Sequence, residues 1–253
     1  AITGDRDRAP LRAGGTLPQA WHNAASEAAG AALIALYERQ TRSGLGQLVD
    51  ASAQQSMNQS SQSMTLAGPL NATITTRIAG GVSLQGIPIQ LMWPCKDGHA
   101  SVTFLFGLGF GRFTRNLMEW IHEEGMCDDA TRDKDWIQYP FMLLDGREPV
   151  EEYERVKQVL TDFFATKTKA ELLEQAMKRR LLIAPVWTTA EVLDSPQLAF
   201  RQYWEDVDHG GTVGTVRYPG AFAKFSAAPL PALPPAPALG ADTDAVLAEP
   251  ARS

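Results

Sequence analysis

Few of the residues that build covalent frameworks or metal sites are present. The 253-residue chain has two cysteines, Cys95 and Cys127, and four histidines. Two cysteines make no disulfide framework and show no metal-ligand spacing, so a reducing, cytoplasmic setting is the simplest reading. His99, His122 and His209 share no spacing with acids or cysteines, and no metal site is expected. There is no secretory signal pattern and no apolar run of the roughly 20 residues that a spanning helix needs. Basic residues are also short, with 23 Lys and Arg against 29 Asp and Glu. The resulting net charge of -6 argues against a nucleic-acid surface. The one basic trio, Lys178-Arg179-Arg180, reads as a solvated helix end. What is present is ordinary for a globular protein: 44% hydrophobic and 21% charged residues, in a length that holds one large domain or two small ones.

The chain is organised around residues 26–52. Ala25, Ala28, Ala29, Ala32, Leu33 and Leu36 recur at helical spacing and predict a buried stripe rich in small residues. Asn23 or Ser26 is a candidate cap for that helix, and Tyr37-Glu38-Arg39-Gln40 is expected to face outward. Gly44 and Gly46 are suited to stop it, because glycine accepts the left-handed conformation of a C-terminal cap. Leu48-Val49-Asp50 then opens an extended segment.

Several residues of this stretch match one known pattern together: Ala28-Ala29, Ala35-Leu36, Arg39, Gly44-Leu45-Gly46-Gln47, Val49-Asp50 and Ser52. They resemble the class III CoA-transferases of the CaiB/BaiF type. Weaker echoes follow in the same order. They are Cys95-Lys96-Asp97-Gly98, then Ala184-Pro185-Val186 with Glu191-Val192-Leu193 and Ser195-Pro196-Gln197, then Pro237-Ala238-Leu239-Gly240 with Asp242-Thr243 and Val246-Leu247. The resemblance implies an α/β fold, with part of a doubly wound large domain plus a smaller α+β domain. It places residues 1–65 in the large domain around the central helix, 66–89 in a linker, 90–205 in the small domain and 206–253 in a return to the large one. It implies that the chain, which opens Ala1-Ile2-Thr3, begins mid-domain without the family's N-terminal nucleotide-binding half. Two chains would interlock as a homodimer or heterodimer, with the active site between the large domain of one and the small domain of the other.

The activity implied is movement of CoA between an acyl-CoA thioester and a carboxylic acid, with the CoA thioester as substrate and no permanently bound cofactor. A side-chain carboxylate attacks the thioester, and a helix N-terminus suits that anion. The family's Asp would fall at Trp21 or His22, depending on which motif sets the register, and neither is an acid. His22, as base or transient acyl acceptor, and Glu27, as a displaced carboxylate, are therefore the candidate catalytic residues. Their plainer readings are a packed or capping histidine and an ordinary acid of a helix first turn. A second functional class stays open: a non-catalytic subunit that completes the site of an Asp-bearing partner.

Further along, the Gln/Ser/Met-rich residues 54–64 fit a helix carrying Met57 and Met64, ended at Gly68-Pro69. Gly80-Gly81 is either a plain turn or the counterpart of a mobile glycine loop over the active site. Ile89–Trp93 and Ala100–Phe106 predict a hairpin around Lys96-Asp97-Gly98-His99. Gly107 to Gly111, with Arg112 and Arg115, lacks the dinucleotide spacing and reads as a strand-to-helix turn rather than a phosphate loop. Helices are expected over Phe113–Glu124, Glu151–Ala165, Ala170–Arg179 and Gln197–Trp204, with a turn at 191–193 capped by Thr189. Strands are expected over Leu181–Val186, Val213–Val216 and Ala221–Phe225. The Pro-rich 230–239 should be extended, with a short helix over Asp242–Ala248. Cys95 reads as a buried structural thiol, and the tryptophans as core or interface residues.

Overall fold

A computed structural model describes residues 4, 7–9, 18–60, 66, 78–84, 87–232 and 234–248, and divides the chain into two compact units, residues 1–186 and 187–253. Met64, Gly68 and Pro69 lie outside the described residues.

The first unit opens with α1 (Gln19–Glu38), long and alanine-rich, as helix propensity favours. It runs into a π-helical turn, Arg39–Ser43, closed by a Gly44 N–H bond to the Arg39 carbonyl at 3.0 Å. Gly44 sits at φ 71°, the left-handed stop expected of it. The start differs from expectation, for Pro18 occupies the N-cap without a side-chain bond. Asn23 and Ser26 lie inside the helix and bond back to the Gln19 and His22 carbonyls, four residues earlier. After an extended stretch, α2 (Ala53–Ser60) begins behind Ser52 and packs on α1.

The expected buried stripe is not buried. The side of α1 that meets α2 carries Ala24, buried, with Ala28, Ala31, Ala35 and Glu38 partly covered. Ala25, Ala29, Ala32, Leu33 and Leu36 face solvent with Trp21, Ile34 and Tyr37. Periodicity identified a common face, but α2 is polar and covers another one.

Beyond residue 78, β1 (Gly81–Leu84) and β2 (Ile87–Gln90) form a hairpin in the register Val82↔Ile89. The next strands are β3 (Met92–Cys95) and β4 (Gly98–Val102), joined by the two-residue turn Lys96-Asp97. One strand expected over 89–93 is thus two pieces, broken at Leu91, whose N–H bonds the Gly80 carbonyl at 2.8 Å. The partner strand ends at Val102 rather than Phe106, because Phe104 and Phe106 turn inward as buried core rings. β5 (Ile183–Val186) adds to β4 and completes an antiparallel sheet of order β3-β4-β5.

Between β4 and β5 come α3 (Gly111–Glu123), α4 (Asp129–Arg132), α5 (Tyr139–Leu144), α6 (Val150–Ala165) and α7 (Lys169–Arg179). Residues 128–139 hold α4 and the start of α5. Alternation turns Trp93, Ala100, Val102 and Ile183 to the face on which α6 and α7 pack. The core is aromatic. Phe104 meets Phe106 edge-on at 5.0 Å, Phe106 lies 4.8 Å from Tyr139, and Trp120 meets Phe163 edge-on at 4.7 Å. A capping box of Thr168 and Glu171 starts α7.

The second unit begins with α8 (Thr189–Leu193), whose cap is Thr188, paired with Glu191 in a capping box; Thr189 itself is the first helical residue. α9 (Pro196–Phe200), capped by Ser195, ends four residues before the expected limit, since Trp204 already starts β6 (Trp204–Asp208). β6 pairs antiparallel with β7 (Thr215–Pro219), so the strand expected over 213–216 is shifted toward its C-terminal side. Residues 221–225 form no strand, and 234–238 lie outside any helix or ladder before the turn at 239–240. α10 (Thr243–Ala248) closes the unit.

Candidate functional site

The two residues singled out for catalysis both lie on α1, but not together. Five positions at about 100° each put His22 and Glu27 roughly 140° apart around the axis. Glu27 points toward α2. Its Oε2 accepts a hydrogen bond from Ser56 Oγ at 2.9 Å, and Ser56 is 1% exposed. The same hydroxyl lies 3.0 Å from the Ser52 carbonyl, so it spans the base of α2 and the flank of α1. Asn23 Nδ2 stands nearby, 3.5 Å from Met57 Sδ. Glu27 is thereby a cross-helix acceptor. Ser56 is the neighbour of Glu27 that sequence reasoning did not single out; only a helical reading of residues 54–64 placed it on a helix.

His22 is exposed. It shares the uncovered side of α1 with Ala25, Ala29 and Leu33, so its imidazole stands on an apolar surface. The N-terminus of α1 has no side-chain cap and no acid in its first turn. Its leading N–H groups and positive dipole end are in place, and residues 19–22 supply no carboxylate for them to stabilise.

The remaining motifs of the first unit are accounted for by packing. Asp97, in the turn between β3 and β4, accepts from the Lys169 backbone N–H at 2.8 Å and from the Cys95 thiol at 3.6 Å. The adjoining Lys96 N–H bonds the Lys167 carbonyl at 2.9 Å. Gly98, at φ 149°, leaves room for the Lys169 side chain, which passes 3.4 Å from where a Cβ would stand. Cys95 is half-buried rather than buried, and that partial burial pushes its thiol up, which disfavours the thiolate. The Cys95-Lys96-Asp97-Gly98 run therefore clasps the hairpin to the start of α7. In the Gly107–Gly111 turn, a Cβ on Gly111 would come 2.8 Å from the Trp136 carbonyl, and the Arg112 guanidinium lies over the Phe113 ring at 4.5 Å. These glycines serve the approach of α3 to residue 136. Among the described residues, no group of three or more His, Cys, Asp or Glu is placed to hold a metal, and no helix is long and apolar enough to cross a membrane.

Residues 1–243 match the family described as CoA-transferase family III. The chain belongs to that family. It is 28% identical to the succinyl-CoA:(R)-benzylsuccinate CoA-transferase subunit BbsE of Thauera aromatica, over 98% of this chain and 57% of that protein. Among solved structures, it is similar to a CAIB/BAIF family protein from Brucella suis, with a TM-score of 0.68 and 21% identity over 98% of this chain and 58% of the other. It is also similar to Rv3272 from Mycobacterium tuberculosis, with a TM-score of 0.60 and 15% identity over 93% and 59%. The chain thus spans a little under three-fifths of each of these relatives. At such identities the structures establish the mixed α/β fold alone.

This family III chain also holds a half-buried ionic network away from α1. Lys134 Nζ reaches Glu148 Oε1 at 2.7 Å and Glu152 Oε1 at 3.0 Å, and the Tyr139 hydroxyl donates to Glu148 at 3.1 Å. Arg155 binds Glu152 and donates to Thr131 Oγ1 at 2.5 Å. Arg155's hydrogen bond, offset in part by burial and aided by Lys134, holds the Glu152 carboxyl down at about 2. Burial, and then the charge of Glu148, push the Tyr139 phenol up, so it remains a donor. Every one of these groups has a partner within the network, which ties α5 and α6 to the 131–134 segment.

Proposed function

We propose that this chain serves CoA transfer between an acyl-CoA thioester and a carboxylic acid as a subunit that completes a site whose attacking carboxylate belongs to a partner chain of the same family. The observation that carries the reading is the Ser56–Glu27 hydrogen bond. It engages the one nearby acid as a link between helices, while the N-terminus of α1 stands without an acid. The word "subunit" in the name of BbsE is consistent with an assembly of unlike chains. Under this reading the doubly wound large domain and the interlocked pairing implied by the resemblance are completed in a heterodimer.

The chemistry is covalent transfer. The partner's carboxylate attacks the thioester carbonyl, expelling CoA thiolate and forming a mixed anhydride. The thiolate attacks the anhydride at the enzyme carbonyl, which releases the donor acid and leaves an enzyme–CoA thioester. The acceptor carboxylate then attacks that thioester to form a second anhydride, and CoA thiolate returns to the acyl carbon. Electrostatic stabilisation of the tetrahedral oxyanions is the task of helix N-terminal N–H groups such as those of Gln19 and Ala20.

A second reading makes this chain the catalyst, with His22 as base or acyl acceptor and Glu27 as carboxylate. The exposure of His22 favours it. Intact-mass analysis after incubation with acyl-CoA donors and hydroxylamine or borohydride trapping separates the two. An adduct mapping to an Asp of a co-purifying family III chain supports the subunit reading. An adduct on His22 or Glu27 overturns it.

A further inference from the structure

A cleft of about 430 Å³ opens beside the Gly80-Gly81 turn, between β2, β3, β4 and α6. Its walls include Gly80, Pro88, Met92, Pro94, His99 and Lys157. The sheet register explains the convergence. Ala100 and Val102 of β4 turn inward, so His99 turns outward, opposite Pro94 of β3. Lys157 comes from α6, one turn past Tyr153, and its ammonium lies 5.5 Å from that ring's centroid.

The cleft is held open by bonds of its own. The Tyr153 hydroxyl donates to the Pro88 carbonyl at 3.2 Å, fixing α6 to β2. The Gly80 carbonyl accepts from Leu91 and Met92 at 2.8 and 2.9 Å, which closes the rim onto β3. Gly80 itself is at φ 64°, and a Cβ there would stand 3.0 Å from Met92 Cβ. This turn is built for shape.

The chemistry of the walls is uneven. Pro88, Met92 and Pro94 are apolar. Lys157, a lining residue, is paired with the Glu154 carboxylate, its Nζ 3.0 and 2.8 Å from the two oxygens. The His99 imidazole has no hydrogen-bond partner among the described residues. A preformed, mainly apolar hollow with a few convergent donors is the usual form of a small-molecule site. An anion in the cleft would share Lys157 with Glu154 and would meet the His99 imidazole in the same lining.

We infer that this cleft binds a small carboxylic acid, its carboxylate between Lys157 and His99 and its alkyl or aryl body on Pro88, Met92 and Pro94. The inference rests on the proposed transfer reading for its biological meaning, since a carboxylic acid is a substrate of that reaction. It stands on geometry for its chemistry. Glu154 acts as a competitor for Lys157, so the two side chains have opposite effects on the site.

Titration of the 253-residue chain with 3-phenylpropanoate, followed calorimetrically and by amide NMR, tests this, with 3-phenylpropanamide as the uncharged control. Saturable binding of the acid is expected, at least about tenfold tighter than the amide, as a charge-assisted bond requires. Lys157→Gln and His99→Ala should each weaken it severalfold, and Glu154→Gln should strengthen it, a reversal of sign that general loss of folding does not produce. Equal binding of acid and amide, indifference to all three substitutions, or displacement by free CoA would overturn the assignment. Acid binding in a chain whose assembly transfers no CoA would leave the cleft intact and sink the transfer reading. Transfer with no acid bound at the cleft would do the reverse.

Discussion

The sheet core of the first unit and the α1–α2 pair put large apolar side chains to opposite use. In the core, Trp93, Phe104, Phe163 and Phe164 are 0% exposed, and ring meets ring along the whole layer. On α1, Trp21, Leu33, Ile34 and Tyr37 are 68%, 68%, 72% and 69% exposed. Both regions have clear helical or alternating patterns. The difference lies in what each pattern meets. α6 and α7 bring complementary apolar faces to the sheet, whereas α2, made of Gln, Ser, Asn and Met, meets α1 through hydroxyl, amide and carboxylate contacts. A periodic stripe states which residues share a face, and burial needs a second surface.

The largest expected effect comes from cutting the core. Phe104→Ala should cost about 3–5 kcal/mol in urea unfolding, because four neighbouring rings lose a partner around a cavity. The matched change on the other side, Leu33→Ser, should stay within about 0.5 kcal/mol. If Leu33→Ser destabilised the isolated chain as strongly as Phe104→Ala, the contrast between the regions would be false.

Next in size is the network that joins α5 and α6. Lys134→Met leaves Glu148, with a side chain 8% exposed, without its cation, and should cost about 3 kcal/mol by thermal unfolding. Ser56→Ala probes the polar contact on the other side of the comparison. It should cost about 1 kcal/mol and raise amide exchange in α1 and α2 while leaving the sheet unchanged. Uniform loss of protection across the sheet would show instead that the helix pair and the core open as one unit.

The smallest effect is one of pH. Glu152 has its folded pKa lowered from 4.5 to about 2, so its stabilisation is fully present above about pH 4.5 and is lost as pH falls toward 2. Glu152→Gln should flatten the stability profile across that window. An unchanged acid limb would assign the acid sensitivity to other carboxylates.

Much of the order of elements was legible before any coordinates. α6, α7, the stop at Gly44 and the Asp-Gly turn follow from apolar spacing, charge placement and glycine, all of which act within a few residues. The hairpin shifted because Leu91 bonds to Gly80, and β4 ended early because Phe104 and Phe106 were recruited into the core. Both decisions involve partners distant along the chain. The same divide runs through the candidate site. That Trp21 and His22 are not acids was visible in the sequence. The engagement of Glu27 by a serine 29 positions later was not, and neither was the place of His99 and Lys157 in the lining of one cleft.

The sequence alone determined the family, the helical character of residues 27–43 and the lack of an acid at residues 21 and 22, because each is a property of residue type and short spacing. Only the tertiary structure decided which face of α1 is covered, which acid is tied down and where a cleft opens. Those outcomes depend on which surfaces come together, and contact between distant segments is set by the packing of the whole unit rather than by any local run of residues.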